Sequence, residues 1–228
     1  GSLKVNGNTY TVPTEGNPTV ITGTNGTLTV NVNGTYSYKA DANTGGKADS
    51  FKFEITDADN DKAEATIDIT ISAATGPTAT TKVTVDEKGL FDSTDNSEIA
   101  NVTVPGYTIV SGGDGTYGNI SLVDGKWVYT LTGTFEHTGE GTDTAEDADT
   151  VTIKVKDAQG NTFNVDVKVD IKDAVPTISA SDNLTAVSGN ESETTGTLSH
   201  NFGADGTGSL TVNGNTYTVP TEGNPTVI

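Results

Sequence analysis

Cysteine and methionine are both absent from the 228 residues. Without cysteine there is no disulfide, no thiol nucleophile and no thiolate-bound zinc. Basic residues are scarce. Twelve Lys plus Arg stand against 31 Asp plus Glu, for a formal net charge of −19. Nucleic-acid binding depends on Lys and Arg neutralising phosphates, and anionic membranes attract the same groups, so neither partner is expected. No apolar run approaches the roughly 18 residues of a spanning helix, so no membrane insertion is expected either. Aromatics make up 6% of the chain, too few to line an enzyme pocket once cores are furnished. No G-x-S-x-G, H-E-x-x-H or P-loop is present. A carboxylate pair of the glycosidase kind is the one catalytic arrangement so acidic a chain leaves open. The expectation is a protein without enzymatic activity.

What is present begins with repetition. Residues 1–21 read GSLKVNGNTYTVPTEGNPTVI, and residues 208–228 repeat them with Thr211 in place of Lys4. Twenty of 21 positions match, 207 residues apart. Such identity indicates tandem duplication in a parent sequence or deliberate construction. With no methionine at its start, the chain reads as a segment of something longer. Inside the period lies a weaker repeat. NGTYSY (33–38) answers DGKWVY (124–129), and ADSFKFEITDADND (48–61) answers ADTVTIKVKDAQGN (148–161). The expected domains are therefore 1–73, the C-terminal part of one repeat; 76–173, a complete repeat; and 174–228, the N-terminal part of the next.

Every periodic segment alternates with period two. Phe51, Phe53 and Ile55 are separated by Lys and Glu; Val165, Val167, Val169 and Ile171 are separated by polar residues. This is the pattern of half-buried antiparallel strands. Asn33-Gly34, Asp124-Gly125 and Gly160-Asn161 supply residues that accept the positive φ of tight hairpins. No apolar stripe has helical spacing. Short strands and turn signals, at about 100 residues per unit, predict an all-β fold of tandem immunoglobulin-like β-sandwiches. Trp127 occupies the position of Tyr36, and Tyr129 that of Tyr38. The pair is expected in the core or on a sheet face, with an aromatic sugar platform as the alternative.

Asp57-Ala58-Asp59-Asn60-Asp61 is the sharpest chemical signal. Calcium takes six to eight hard oxygen ligands, and a D-x-D-x-D turn points three carboxylates into one loop. Lys62 stands where an EF-hand needs Gly, so the alternatives are a calcium-binding β-turn and a solvated hairpin. The equivalent turn at Asp157 keeps one carboxylate and is the weaker candidate. Asp170 and Asp173 precede Pro176 at a domain boundary, where a shared cation would stiffen the joint; an ordinary polar linker is the other reading. Glu146, Asp147 and Asp149, with Asp49 at the equivalent place, form a further acidic set, and Glu87 is a weaker member. His137 and His200 have no metal-type partner nearby in sequence and are expected as lone surface side chains.

TDADNDKAEATIDITI (56–71) and VKDAQGNTFNVDVKVDIKDAVPTI (155–178) resemble the closing hairpin of VCBS-type and related type I secretion target repeats. VTVDEKGL (83–90) and NFGADGTGSLTVNG (201–214) resemble their start and middle. These are repeats of the RTX-type giant adhesins of Gram-negative bacteria. The resemblance implies secretion by a type I system, an extracellular place at the cell surface, and calcium dependence. The first junction, Ser72 to Pro77, departs from the family in lacking acidic residues. The expected function is a structural stalk that supports cell adhesion or biofilm formation, stiffened by Ca2+ and partnered by neighbouring repeats. Head-to-tail strand complementation between chains is one expected form of that partnership, and a continuous fibre on which this chain is a window is the other. The alternative is a carbohydrate- or ice-binding module of such an adhesin. A module should be singular, whereas a stalk gains length from every copy, so duplication favours the stalk.

Overall fold

Alternating sequence becomes strand throughout. The computed structural model describes residues 2–217 except 58, 93, 140, 142, 181–188, 190–194 and 205–207, with Ser2 described by its backbone alone. Residues 218–228, the second half of the duplicated stretch, lie outside the described residues. The chain divides into two units, Gly1–Gly76 with Lys156–Phe163, and Pro77–Val155 with Asn164–Ile228.

The first unit contains β1 (Ser2–Val5), β2 (Asn8–Thr11), β3 (Thr19–Thr22), β4 (Gly26–Val30), β5 (Tyr36–Ala40), β6 (Ala48–Thr56) and β7 (Lys62–Thr70). One sheet has the order β2-β1-β6-β7, and the other β3-β4-β5. Val5 and Phe51 from the first sheet meet Ile21 and Leu28 from the second, and these four form the buried core. Inward alternate residues of two facing sheets make the interior of a β-sandwich. Each such side chain contributes about 1.5–3 kcal/mol when fully buried. The β1–β2 hairpin turns at Asn6 and Gly7, with φ of 49° and 79°. Asn6 then fastens that turn to β6 by donating from Nδ2 to Ser50 O and accepting from Lys52 N.

In the second unit, β8 (Thr81–Asp86) leads into a 3-10 turn at Glu87–Leu90. Then follow β9 (Ile99–Asn101), β10 (Thr108–Ser111), β11 (Gly113–Asp114), β12 (Gly118–Val123), β13 (Lys126–Leu131), β14 (Thr144–Lys156) and β15 (Thr162–Lys172). The sheets run β10-β14-β15-β8 and β11-β12-β13-β9. β8 lies parallel to β15, from Thr81 against Val167 to Asp86 against Lys172. Trp127 is half-buried and Tyr129 is fully buried. After β15 come two small hairpin sheets, β16 (Thr177–Ala180) with β17 (Leu198–Asn201), and β18 (Leu210–Val212) with β19 (Asn215–Tyr217).

The two sandwiches superpose in sequence but not in completeness. β6 answers β14 and β7 answers β15, position for position. In the second unit β8 covers the outer edge of β15 and β9 that of β13. In the first unit, β7 and β5 end their sheets among the described residues. Burial follows. Val155, Val167, Val169 and Ile171 are sealed, whereas Ile67 and Ile69 are half-buried and Ile55 is 59% exposed. Leu3, Val12, Val30, Val32, Phe53 and Ile55 line an open apolar groove of about 320 Å³.

Candidate metal centres

The carboxylates singled out in the sequence separate into several kinds of place. Asp49 and Asp149 are interior fastenings. Asp49 accepts from Thr24 N, from the backbone and side-chain nitrogens of Asn25, and from the Tyr38 hydroxyl at 2.7 Å. Asp149 accepts from Thr116 N, Tyr117 N and Thr150 N, and from the Tyr129 hydroxyl at 2.8 Å. Burial pushes both carboxyls up, but these donors outweigh it and hold both below the ordinary range. Their oxygens are engaged with the chain's own N–H and O–H groups, which gives both a structural task.

Asp147 and Asp170 share a lysine. Lys82 Nζ lies 3.2 Å from Asp147 Oδ1 and 2.9 Å from Asp170 Oδ1. Asp170 also accepts from Asp147 N, where β14 takes a positive φ of 53°. The bond to Asp170, with help from Asp147, holds the Lys82 ammonium above its usual range. The cation between Asp147 and Asp170 is thus an ammonium. Asp173 does not join Asp170. It sits just past the end of β15, nearly buried, beside Glu87 and His137.

Asp57, Asp59 and Asp61 remain together in an exposed turn, each offering an oxygen within 4.8 Å of the others. Asp57 Oδ1 accepts from Asp61 N at 2.8 Å. A side-chain hydrogen bond with Asp59 and the N–H groups of residues 59–61 hold the Asp57 carboxyl low. Three clustered carboxylates suit a hard cation whose other ligands are water or backbone oxygen. Asp157, by contrast, is occupied with its own turn. It accepts from Gln159 N, Asn161 N and Asn161 Nδ2, which hold its carboxyl low. Glu146 lies in β14.

His137 overturns its expected place at the surface. Its side chain is 1% exposed. Nδ1 lies 2.8 Å from Asp143 Oδ1, and Nε2 lies 3.3 Å from Glu87 Oε2. Glu87 is fully buried and accepts from Phe135 N at 2.6 Å. Three segments converge here: the 3-10 turn after β8, the connection between β13 and β14, and the end of β15. No sequence pattern announces such a group, because Glu87, His137 and Asp173 are far apart along the chain. His200, as expected, is exposed, stacked edge-on against Phe202.

Residues 2–70 match the family of bacterial Ig domains. No curated protein matches the chain. Among solved structures, 96% of the chain aligns with 53% of a protein described as a Ca2+-stabilized adhesin that helps an Antarctic bacterium reach out and bind ice, at 18% identity and a TM-score of 0.27. The chain therefore spans about half the length of that relative. Among the described residues, no helix is long and apolar enough to cross a membrane.

Proposed function

We propose, with residues 2–70 a bacterial Ig domain, that the chain is a segment of the structural stalk of a secreted bacterial surface adhesin. Its work is to give length and stiffness in support of cell adhesion or biofilm formation. The observation that carries this reading is repetition down to register. Leu3 pairs with Tyr10 and Val5 with Asn8 in the first hairpin; Leu210 pairs with Tyr217 and Val212 with Asn215 in the second. Asn6-Gly7 and Asn213-Gly214 turn with the same signs of φ. One 207-residue unit is thus followed by the opening of another, and length is the property that such copying extends.

Neighbouring repeats are the natural partners. The uncovered edges of β5 and β7 correspond to the edges that β9 and β8 cover in the second unit. Segments of the kind found at 174–201 would supply strands for them, from an adjoining repeat of the same protein or from another chain. Residues 176–210 present a matching need: Ile178, Leu198, Phe202 and Leu210 line an apolar depression of about 210 Å³. Calcium at Asp57, Asp59 and Asp61 would cancel like charge in a chain of net charge −19 and stabilise the native state by mass action.

Small-angle scattering on proteins of one, two and three 207-residue periods tests the stalk. In millimolar calcium, the maximum dimension should rise in equal steps with each period, and EDTA should shorten and blur the distribution. Particles whose dimension fails to grow in proportion to the number of periods would end this reading.

A further inference from the structure

We propose that Glu87, His137 and Asp173 form a binding site for a first-row transition metal of the Zn2+ class. The site is built within the second unit and does not depend on the stalk reading. Glu87 Oε2, His137 Nε2 and an oxygen of Asp173 all lie within 4.8 Å of one another.

Two observations separate this place from an ordinary acidic cluster. First, His137 Nε2 is buried, makes no hydrogen bond among the described residues, and points toward the Glu87 carboxylate. A buried nitrogen without a hydrogen bond is costly unless something takes its lone pair. Second, the opposite ring nitrogen is held by Asp143 at 2.8 Å. A carboxylate on the far nitrogen fixes the tautomer, leaves the near nitrogen as the donor and raises its basicity, which is how metal-binding histidines are oriented.

The remaining supports are rigid. Phe135 N donates to Glu87 Oε1, and Phe135 packs edge-on against the imidazole at 5.0 Å. Asp173 N donates to Asp143 O at 3.0 Å, tying the end of β15 to the loop that carries the orienting carboxylate. Asp173 also lines an open depression with Asp86, Lys88 and Phe91, a route by which an ion could enter.

The donor set selects the metal class. Calcium takes oxygen ligands, six to eight of them. Imidazole suits zinc, copper, iron and nickel. Tetrahedral zinc with bonds of about 2.0–2.1 Å has ligand-to-ligand edges of about 3.3–3.5 Å. The Glu87 to His137 separation of 3.3 Å already has that span. One nitrogen and two carboxylates leave a fourth position for water.

The test uses the full chain without an affinity tag, stripped with EDTA and titrated with CoCl2, ZnCl2 and CaCl2 separately. The expected result is one Co2+ per chain with the visible absorption of a four-coordinate nitrogen–oxygen site, displaced by Zn2+ and unaffected by millimolar Ca2+. His137→Gln should abolish that absorption. Asp143→Asn, which leaves every ligand in place, should weaken Zn2+ binding about 10–100-fold. The triple change of Asp57, Asp59 and Asp61 to Asn should leave it intact. Lack of the four-coordinate Co2+ spectrum in the unaltered chain, its survival in His137→Gln, or its displacement by Ca2+ would each overturn the proposal. Should His137→Gln fail to fold, the spectrum of the unaltered chain and its response to Ca2+ still decide.

Discussion

Deep in the second unit, the Tyr129 hydroxyl donates to Asp149 Oδ2 at 2.8 Å. The same pairing recurs in the first unit between Tyr38 and Asp49. In each sandwich a tyrosine from one sheet reaches a carboxylate on a long strand of the other, Asp49 near the start of β6 and Asp149 near the middle of β14. That carboxylate also takes two N–H groups from the turn between β3 and β4, or between β11 and β12. A single anion thereby fastens both sheets and a turn.

Tyr129→Phe removes one hydrogen bond to a buried charge and should cost about 1.5–3 kcal/mol. Asp149→Ala should cost more, about 3–5 kcal/mol, because the Tyr129 hydroxyl and the amides of Thr116, Tyr117 and Thr150 all lose their acceptor. Urea denaturation monitored by Trp127 fluorescence, the only Trp in the chain and part of the second unit, reads both losses.

The same two pairs set the response to pH. Asp49 and Asp149 titrate below their unfolded value of about 3.9, so their stabilisation is complete above that value and drains away as pH falls through the lower folded one. Burial, reinforced by the hydrogen bond to Asp49, pushes Tyr38 up to about 12, and burial moves Tyr129 the same way. Their contribution is complete below about 10, the unfolded value, and lost as pH rises beyond it toward the folded value. Melting temperature should therefore be flat between about pH 5 and 9 from these groups, falling on both sides. Asp149→Asn should flatten the acid limb.

Glycine is required beside each of these carboxylates. A Cβ at Gly115 would collide with the Asp149 carboxylate, and one at Gly23 with that of Asp49. Either change to Ala should destabilise its own unit by about 1–3 kcal/mol, as overpacking does, visible in thermal denaturation. Gly34→Ala gives a contrast: its added methyl meets no atom within 4 Å, and only the φ of 80° resists it.

Ile55 and Val155 occupy matching positions with opposite environments. Val155→Ala should cost about 2 kcal/mol of stability. Ile55→Asp should cost the isolated chain under about 0.5 kcal/mol, since that side chain is already 59% exposed. Ile55→Asp should nonetheless abolish the concentration-dependent self-association that the proposed strand addition requires, as read by sedimentation velocity. Undiminished association would show that the groove of the first unit is not where strands are added.

Removal of calcium should lower the melting temperature of the first unit. Saturation at 100 times the dissociation constant corresponds to about 2.7 kcal/mol. Replacing Asp57, Asp59 and Asp61 by Asn should leave a melting temperature that no longer differs between calcium and EDTA.

Much of the fold was legible because alternation is a local signal. Val165 to Ile171 face inward as their spacing predicts, and the Asp124-Gly125 turn takes φ of 48° and 77°. The functions of the acids were less legible, since an aspartate's task depends on what approaches it across the fold. Asp49 and Asp61 look alike in a string of letters, but one meets a tyrosine and three amides while the other faces solvent. Asp170 and Asp173 are three apart and look like a pair along the chain. An odd separation at a strand end sends them to different neighbours, one to Lys82 and the other to Glu87 and His137. The setting of His137 leaves no local trace in the sequence, because its neighbours Glu87 and Asp173 come from segments dozens of residues away.

The twin Asn-Gly hairpins have a mechanical corollary. What distinguishes their described residues is Lys4 against Thr211, and the ion pair that Lys4 makes with Glu54, at 3.5 Å and partly exposed, is of the kind that solvent screens to little effect. The seat beside β6 therefore scarcely discriminates between the hairpin it holds and the copy 207 residues on. In the proposed stalk, a hairpin dragged from its seat under shear would meet a near-identical copy once per period, so that damage there would be repaired by exchange.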